Sequence, residues 1–402
     1  MTSESSHKEP VILSAARTPM GRYQGALSPL SATRLGAAVV AAAVERAGLK
    51  KLEEIEEVLM GNVVAAGLGQ GPARQAAIFA GLPATVGASA VNKVCGSGLK
   101  TCMWAAQAIR AGDANLFVAG GMESMSNAPH LVRGRSGLRY GHQELTDALL
   151  HDGLWDAYED WVMGMAAEYI ADKYEVTREA MDRYALESHQ KAIAAMKAGK
   201  FDDEIVPLEI PGRKGKITEV KQDETPRADT SLEVLGKLRP VFKKDGKVTA
   251  GNSPGLNDGA AALVIASRAK AEELKCPPMA RILGYCHVAV DPKEIFIAPA
   301  QAIPKVLEIV GWKLPEVDLI ELNEAFAAQV LADGYALADM GWDWEKVNVN
   351  GGGIALGHPI GASGARVLTT LIYALRDRGL KRGIASLCLG GGEAVAMAIE
   401  LE

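Results

Sequence analysis

The chain has 402 residues, of which 48% are apolar, 23% charged and only 5% aromatic. This length exceeds what one hydrophobic core usually serves, so a globular protein of two or three domains is expected. The formal net charge of −6 argues against a nucleic-acid binder, although it leaves room for a local basic patch that meets a phosphorylated ligand.

Three features of the chain bear on its compartment. The first ten residues are polar and lack the apolar stretch of a secretory signal. The best apolar candidate for a membrane span, residues 35–44, is too short to cross a bilayer. Five cysteines without a Cys-x-x-Cys pair argue against a disulfide framework and against a structural zinc site. We therefore expect a cytoplasmic protein without a bound metal or membrane contact.

The first third of the chain alternates short apolar segments with helical patterns, which predicts an α/β fold with a mixed or parallel sheet. Ser31 is a good N-cap residue, and Gly48 follows the end of the helix that it starts. The predicted strands are Val11–Ala15, Glu56–Met60 and Asn115–Ala119, and the predicted helices are Ser31–Ala47, Gly71–Ala80 and Leu99–Ala111.

Cys95 lies in a glycine-containing stretch directly before one of these helices. The unpaired N–H groups and the dipole of a helix N-terminus favour a thiolate. Gly96 and Gly98 leave room for a substrate to approach. Cys95 is therefore a candidate nucleophile, and the alternative is a small buried cysteine packed beneath a helix.

The alternation of strands and helices breaks down over residues 125–254 and returns after them. Within this stretch we predict a helix at Ala180–Ala198 and mostly loop over Pro207–Pro240, and we expect an inserted domain above the active site. Further strands are predicted at Ala261–Ser267, Leu319–Leu322, Val347–Asn350, Arg382–Cys388 and Ala394–Leu401, and further helices at Ala300–Val310, Gln329–Met340 and Ser363–Arg378.

A weak internal repeat links the two α/β stretches. In each, a Val-Asn pair leads to Ser-Gly, a helix, a strand and a run of glycines. His358 and Cys95 occupy equivalent loops of this repeat. Together with Cys388, which ends a late strand, they provide a nucleophile, a base and oxyanion donors, although each alone is compatible with an ordinary structural role.

Several motifs in the same order make the resemblance specific: the chain resembles the thiolases over nearly its whole length. The motifs are Met60-Gly61-Asn62-Val63, Val94-Cys95-Gly96-Ser97-Gly98, Gly121-Met122-Glu123-Ser124-Met125-Ser126, Thr249-Ala250-Gly251-Asn252, Gly255-Leu256-Asn257-Asp258-Gly259-Ala260, Asn323-Glu324-Ala325-Phe326, Gly357-His358-Pro359-Ile360-Gly361 and Cys388-Leu389-Gly390-Gly391-Gly392.

The resemblance implies a thiolase fold, with two pseudo-symmetric α/β halves layered αβαβα and an inserted loop domain that binds coenzyme A (CoA). We expect an N-terminal half at residues 1–124, completed by about 255–278, the loop domain at 125–254 and a C-terminal half at 279–402. The implied assembly is a dimer or tetramer, because the arm Leu131–Tyr140 resembles a tetramerising loop.

The resemblance also implies roles for individual residues. Cys95 carries the acyl group, His358 activates it and Cys388 exchanges the α-proton, while Asn323 holds a water molecule and Gly390 donates to the oxyanion. The substrates are CoA and acyl-CoA, with no tightly bound cofactor and no metal. The implied CoA-binding residues are Met163, Arg227, Leu238, Phe242, Ala250, Ser253, Ala325 and Phe326.

The chain departs from the short-chain biosynthetic thiolases at a few positions. Val162 replaces a histidine, Pro254 follows Ser253 where Ala-Ser is usual, and Phe296 and Glu393 also differ. The predicted reaction is condensation of two acetyl-CoA molecules, or the reverse thiolysis. These departures keep two alternatives open: a degradative thiolase for longer chains, and a catalytically idle CoA-binding subunit.

Overall fold

The structure, a computed structural model, describes residues 7–135, 137–138, 140–212 and 215–402. Its main strands are β1 (Pro10–Arg17), β2 (Glu57–Gly61), β3 (Gly87–Val91), β4 (Leu116–Ser124), β5 (Leu208–Pro211), β6 (Ile217–Val220), β7 (Asn257–Ser267), β8 (Ala280–Ala289), β9 (Leu319–Leu322), β10 (Arg382–Leu389) and β11 (Glu393–Leu401). Its main helices are α1 (Ala32–Arg46), α2 (Pro72–Phe79), α3 (Ser97–Ala111), α4 (Met163–Lys173), α5 (Arg178–Lys197), α6 (Arg268–Leu274), α7 (Pro299–Val310), α8 (Ala327–Ala336) and α9 (Ile360–Arg378).

Local sequence signals account for most of these elements. The side chain of Ser31 accepts a hydrogen bond from the Arg34 N–H and caps α1, as predicted. Helix α3 begins at Ser97, so Cys95 lies just before its N-terminus. Helices α7, α8 and α9 and strands β9, β10 and β11 confirm the predicted positions within a few residues.

The predicted strand Val347–Asn350 is wrong. Only Val347 pairs, through a single parallel bridge to Ile320. The chain turns immediately afterwards, because Asn348 and Gly351 have positive φ angles of 46° and 79°, which an extended strand excludes. The Asn348 amide donates instead to the Leu322 carbonyl at 2.8 Å.

The sequence pattern also does not predict β8 or α4. Strand β8 contains Gly284 and alternates buried with half-buried residues, so it lacks a continuous apolar run. The segment Pro207–Pro240, predicted to be mostly loop, contains the hairpin β5–β6 and a short helix, Leu232–Gly236.

Nine of these main strands form one mixed sheet in the order β9-β10-β11-β8-β1-β7-β4-β2-β3, and β5 and β6 pair separately as a hairpin. The halves β3-β2-β4-β7-β1 and β9-β10-β11-β8 repeat the same pattern of parallel and antiparallel pairs, and the Val347 bridge takes the place of β3 in the second half. Two residue pairs between β1 and β8 join the halves. The internal repeat is therefore a structural repeat.

Three helical layers cover the two halves. Helices α3 and α9 share one apolar core with the inner faces of both halves. Helices α1 and α2 pack on the outer face of the first half, and α7 and α8 pack on that of the second. This is the expected αβαβα layering.

The central helices α3 and α9 approach each other through glycines. A Cβ atom on Gly364 would lie 2.3 Å from the Leu99 nitrogen, so a larger residue would separate the two helices. The N-termini of α3 and α9 therefore meet in the middle layer, which brings the loops of Cys95 and His358 together. Within the described residues, no helix has the length and apolar character needed to cross a bilayer.

Candidate active site

A tight turn presents Cys95. Val94 has a φ of 45°, an uncommon value for a β-branched residue and a sign of local strain. The Asn92 side chain accepts from the Val94 N–H at 3.0 Å, and the Ser97 hydroxyl accepts from the Lys93 N–H at 2.8 Å. These bonds hold the turn, and the partly exposed Cys95 side chain lies on the wall of a cavity.

Burial and the neighbouring backbone N–H groups act in opposite directions on the pKa of Cys95. Burial raises the pKa of this thiol to about 12, while the N–H groups of Gly390 and of Cys95 itself oppose the rise by favouring the thiolate. The thiol therefore carries its proton at neutral pH and requires a base for nucleophilic attack.

The hydrogen bonds of His358 define its tautomer. Its Nδ1 lies 2.5 Å from the Ser363 hydroxyl, which donates its own proton to the Pro359 carbonyl at 2.9 Å. The Ser363 oxygen must therefore accept from Nδ1–H, and Nε2 keeps a free lone pair. Burial, reinforced by the positive charge of Arg366, lowers the His358 pKa to about 3. His358 is thus a neutral imidazole with its basic atom at Nε2.

Asn323 follows β9 and faces this basic atom. Its side-chain nitrogen lies 3.4 Å from His358 Nε2, and its oxygen lies 3.5 Å from a nitrogen of Arg366. The guanidinium thereby orients the amide with its N–H groups towards the imidazole. The next residue, Glu324, accepts from the Ser188 hydroxyl at 2.7 Å and from the Ile354 N–H at 3.0 Å, which joins this loop to α5 and to the glycine-rich segment before His358.

Cys388 lies near the end of β10 and is only 1% exposed. Burial raises its pKa well above the ordinary value, and the nearby Cys95 adds to this rise. Gly391 and Gly392 have φ angles of 90° and 78°, so the chain turns sharply after Gly390. The turn leaves Gly390 on the wall of the cavity that Cys95 also lines.

The cavity has a volume of about 180 Å³ and is mostly apolar. Cys95, His358, Cys388 and Gly390 line it, whereas Asn323 lies behind His358. Five of the predicted CoA-binding residues also line it: Met163, Phe242, Ser253, Ala325 and Phe326. Arg227, Leu238 and Ala250 do not line the cavity. Arg227 and Ala250 are exposed on the surface.

Three of the altered positions form part of the wall. Val162, Pro254 and Phe296 line the cavity, whereas Glu393 pairs with Lys93 outside it. Phe296 packs edge-on against Phe326, with ring centroids 5.2 Å apart.

Ser253 also lines this apolar wall, and its hydroxyl group has unused hydrogen-bonding capacity. The hydroxyl is buried and finds no hydrogen-bond partner among the described residues. Buried hydroxyls are normally satisfied, so this group is suited to bind a polar atom of a ligand. In the described part of the chain, no three His, Cys, Asp or Glu side chains are grouped to hold a metal ion.

Sequence reasoning assigned no role to three residues that hold the His358 loop. Ser363 fixes the tautomer of His358, Asn257 accepts from its backbone N–H at 2.9 Å, and Glu123 binds the start of α9. Asn257 and Glu123 lie within recognised motifs, and Ser363 belongs to the repeated Ser-Gly pair. Their positions were thus visible in the sequence, but their contacts, which join distant segments, were not.

Comparison with known proteins gives a consistent result. The model of the thiolase N-terminal domain matches residues 10–269, and that of the thiolase C-terminal domain matches residues 276–401. The acetyl-CoA acetyltransferases of Pseudomonas aeruginosa and Cupriavidus necator are 53% and 54% identical, and each alignment covers 97% of this chain and 98% of the relative. The crystal structure of the Bacillus anthracis acetyl-CoA acetyltransferase superimposes with a TM-score of 0.95 at 45% identity, covering 99% of this chain and 100% of that one.

Proposed function

The chain belongs to the thiolase family, and from this premise we propose that it is an acyltransferase that condenses two acetyl-CoA molecules into acetoacetyl-CoA and CoA and catalyses the reverse thiolysis. The observation that carries the proposal is the convergence of Cys95, His358 and Cys388 on one apolar cavity. The names of the relatives support acetyl-CoA as the substrate. They do not favour a longer-chain thiolase or an idle subunit.

The first half-reaction acylates Cys95. His358 Nε2 takes the thiol proton as the sulfur attacks the carbonyl carbon of acetyl-CoA. The N–H groups of Cys95 and Gly390 stabilise the tetrahedral oxyanion. The bond from carbon to the CoA sulfur then breaks, and Cys388 gives its proton to the departing thiolate. The products are acetyl-Cys95, free CoA, a Cys388 thiolate and a protonated His358.

The second half-reaction forms the carbon–carbon bond. The Cys388 thiolate takes an α-proton from a second acetyl-CoA and returns to its thiol form. Protonated His358 and a water molecule on Asn323 stabilise the enolate, which attacks the carbonyl carbon of acetyl-Cys95. Cys95 leaves as a thiolate and recovers its proton from His358. All three side chains end in their starting states.

The cavity wall supports a site for the pantetheine and acyl parts of the substrate. Met163, Phe242, Ala325 and Phe326 provide apolar contacts, and the Ser253 hydroxyl provides a polar one. We include Arg227, Leu238 and Ala250 as contacts for the rest of CoA, on the family resemblance alone. CoA and its esters are then substrates, and the chemistry above uses no resident cofactor.

The biological setting is also a proposal. All five cysteines are free, which suits a reducing compartment, and we propose the cytoplasm. The reaction connects acetyl-CoA with fatty acid metabolism. We further propose a homo-oligomer, a dimer or a tetramer built through the arm at residues 131–140, of which residues 136 and 139 lie outside the described structure.

The first experiment measures thiolysis rates for 3-ketoacyl-CoA esters of increasing chain length. We expect the highest kcat/KM with acetoacetyl-CoA, because the packed rings of Phe296 and Phe326 occupy the wall of a small cavity that Cys388 also lines. Cys95→Ala should abolish both condensation and thiolysis, whereas Cys276→Ala, outside the cavity, should retain both. Equal or faster thiolysis of longer chains would reject acetyl-CoA as the main substrate, and turnover by Cys95→Ala would reject the acyl-cysteine mechanism.

A further inference from the structure

The register of the sheet aligns the two halves residue by residue. In the first half, β2 pairs with β4 so that Gly61 lies opposite Gly121. In the second half, β9 pairs with β10 so that Leu322 lies opposite Ser386. Because both pairs occupy the same place in the repeated strand order, they provide a common origin for comparing the loops that follow.

Counting on from these pairs identifies a counterpart for each catalytic loop. Asn62 follows β2 as Asn323 follows β9, and Glu123 occupies the position in β4 that Cys388 occupies in β10. The first half therefore has a second version of the Asn323–Cys388 pair, with a carboxylate in place of the thiol. The proposed reaction leaves this carboxylate without a role.

Glu123 is fully buried and accepts four hydrogen bonds. Its Oε1 accepts from the Asn62 amide at 2.9 Å and from the Val64 N–H at 3.2 Å. Its Oε2 accepts from the Val63 N–H at 3.0 Å and from the Gly361 N–H at 2.9 Å. Three donors belong to the first half, but Gly361 lies in the first turn of α9. The carboxylate therefore joins the two halves, at a helix N-terminus that favours a negative charge.

The first turn of α9 fits tightly at this point. A Cβ atom on Gly121 would lie 2.1 Å from the Gly361 carbonyl oxygen, and one on Gly61 would lie 2.7 Å from it. A Cβ atom on Gly361 itself would lie 2.6 Å from Glu123 Oε2. The backbone of the first half thus packs directly on the backbone of α9 at Gly361, which lies three residues after His358. Cys95 belongs to the first half, on the other side of this contact.

We propose that Glu123 is a positioning residue, which holds the start of α9, and with it the His358 ring, in place beside Cys95 on the cavity wall. This inference rests on the proposed role of His358 as the base. Proton transfer needs heavy atoms about 2.6–3.2 Å apart. A displacement of about 1 Å costs roughly a hundredfold in rate.

The test compares Glu123→Gln with Glu56→Gln. Glu56 precedes the other end of β2, where it accepts from the backbone N–H groups of Asn115 and Leu116, so it is a control for the same substitution at an exposed carboxylate away from the cavity. The measured quantities are the single-turnover rate of Cys95 acetylation by acetyl-CoA, the half-saturating acetyl-CoA concentration and the thermal unfolding midpoint.

We expect Glu123→Gln to slow acetylation at saturating acetyl-CoA by about 10- to 100-fold. The amide keeps only one oxygen acceptor and turns its NH2 group towards N–H donors, so it weakens the link between the first half and the start of α9. Half-saturation should stay within about twofold, because the proposed CoA-binding residues of the cavity wall lie outside α9. Glu56→Gln should keep the wild-type acetylation rate, and Glu123→Asp, which retains the charge on a shorter side chain, should have an intermediate one.

Gly361→Ala provides an independent second variant. Its methyl group displaces the start of α9 from an intact Glu123, so it should reproduce the slow acetylation. This variant decides the question if Glu123→Gln does not fold. A wild-type rate in folded Glu123→Gln or Gly361→Ala, or a loss of affinity alone, overturns the positioning role. Failure of the wild-type protein to acetylate Cys95 would instead overturn the proposed function.

Discussion

The two thiols of the cavity differ in their neighbours. The backbone N–H groups of Gly390 and Cys95 favour a thiolate on Cys95 against the effect of burial, whereas burial and the nearby Cys95 both disfavour a thiolate on Cys388. The two titrations are therefore coupled. Acetylated Cys95 can carry no negative charge, so in the proposed reaction this opposition to a Cys388 thiolate is absent at the step that needs the thiolate.

This difference predicts that Cys388→Ser separates the half-reactions. A serine hydroxyl holds its proton too strongly to take an α-proton, so condensation should fall about 10²- to 10⁴-fold. Acetyl-Cys95 should still form, although more slowly because the departing CoA thiolate loses its proton donor, and mass spectrometry of the protein mixed with acetyl-CoA would detect it. Cys276→Ser is the control. Equal loss of acetylation and condensation in a folded Cys388→Ser protein would refute the assigned role.

At the scale of elements, the start of α9 buries a neutral imidazole. The pKa of His358 is lowered from an ordinary 6.5 to about 3 by burial and by Arg366. Between these two values the unfolded chain binds a proton that the folded chain does not. Folding stability from this group is therefore present above about pH 6.5 and is lost as the pH falls towards 3.

Replacement of His358 tests this linkage. We expect the unfolding free energy of His358→Gln, relative to the wild type, to rise as the pH falls, by about 2 kcal/mol between pH 6.5 and pH 5. Subtracting the unfolding free energies of the two proteins cancels the contributions of other groups, such as Glu123, whose pKa burial raises to about 7 and which therefore affects stability in the opposite direction. Denaturant unfolding at several pH values measures this difference in free energy. A constant difference would show that His358 titrates normally in the folded protein.

At the scale of the whole molecule, two similar halves build one site at their junction. Neither half contains it alone, because Cys95 precedes α3 while His358 and Cys388 belong to the second half. The expected boundaries of the inserted domain, at residues 125 and 254, stay a prediction.

The exposed arm makes a prediction about assembly. Val132, Leu138 and Tyr140 are apolar and exposed in the single chain, as residues of an oligomer contact would be. We expect light scattering to give the mass of a dimer or tetramer. Replacing residues 132–140 by a Gly-Ser linker should reduce a tetramer to a dimer. A monomer at micromolar concentration would contradict the proposed assembly.

The sequence by itself determined the features that depend on near neighbours in the chain. Caps such as Ser31, the helix after Cys95 and the alternation of strands and helices follow from interactions within a few residues. The order of the motifs then indicated the family and its fold, and the repeat predicted that the Cys95 and His358 loops meet.

Only the tertiary structure decided what depends on residues far apart in the chain. It reduced the predicted strand at Val347 to one bridge, because a turn and the Asn348 amide fill that edge of the sheet. It placed Ser253 on the cavity wall and Arg227 away from it. It also brought Glu123 into contact with Gly361, which lies 238 positions further along the chain. Local patterns carry no information about such contacts, since packing of the whole chain creates them.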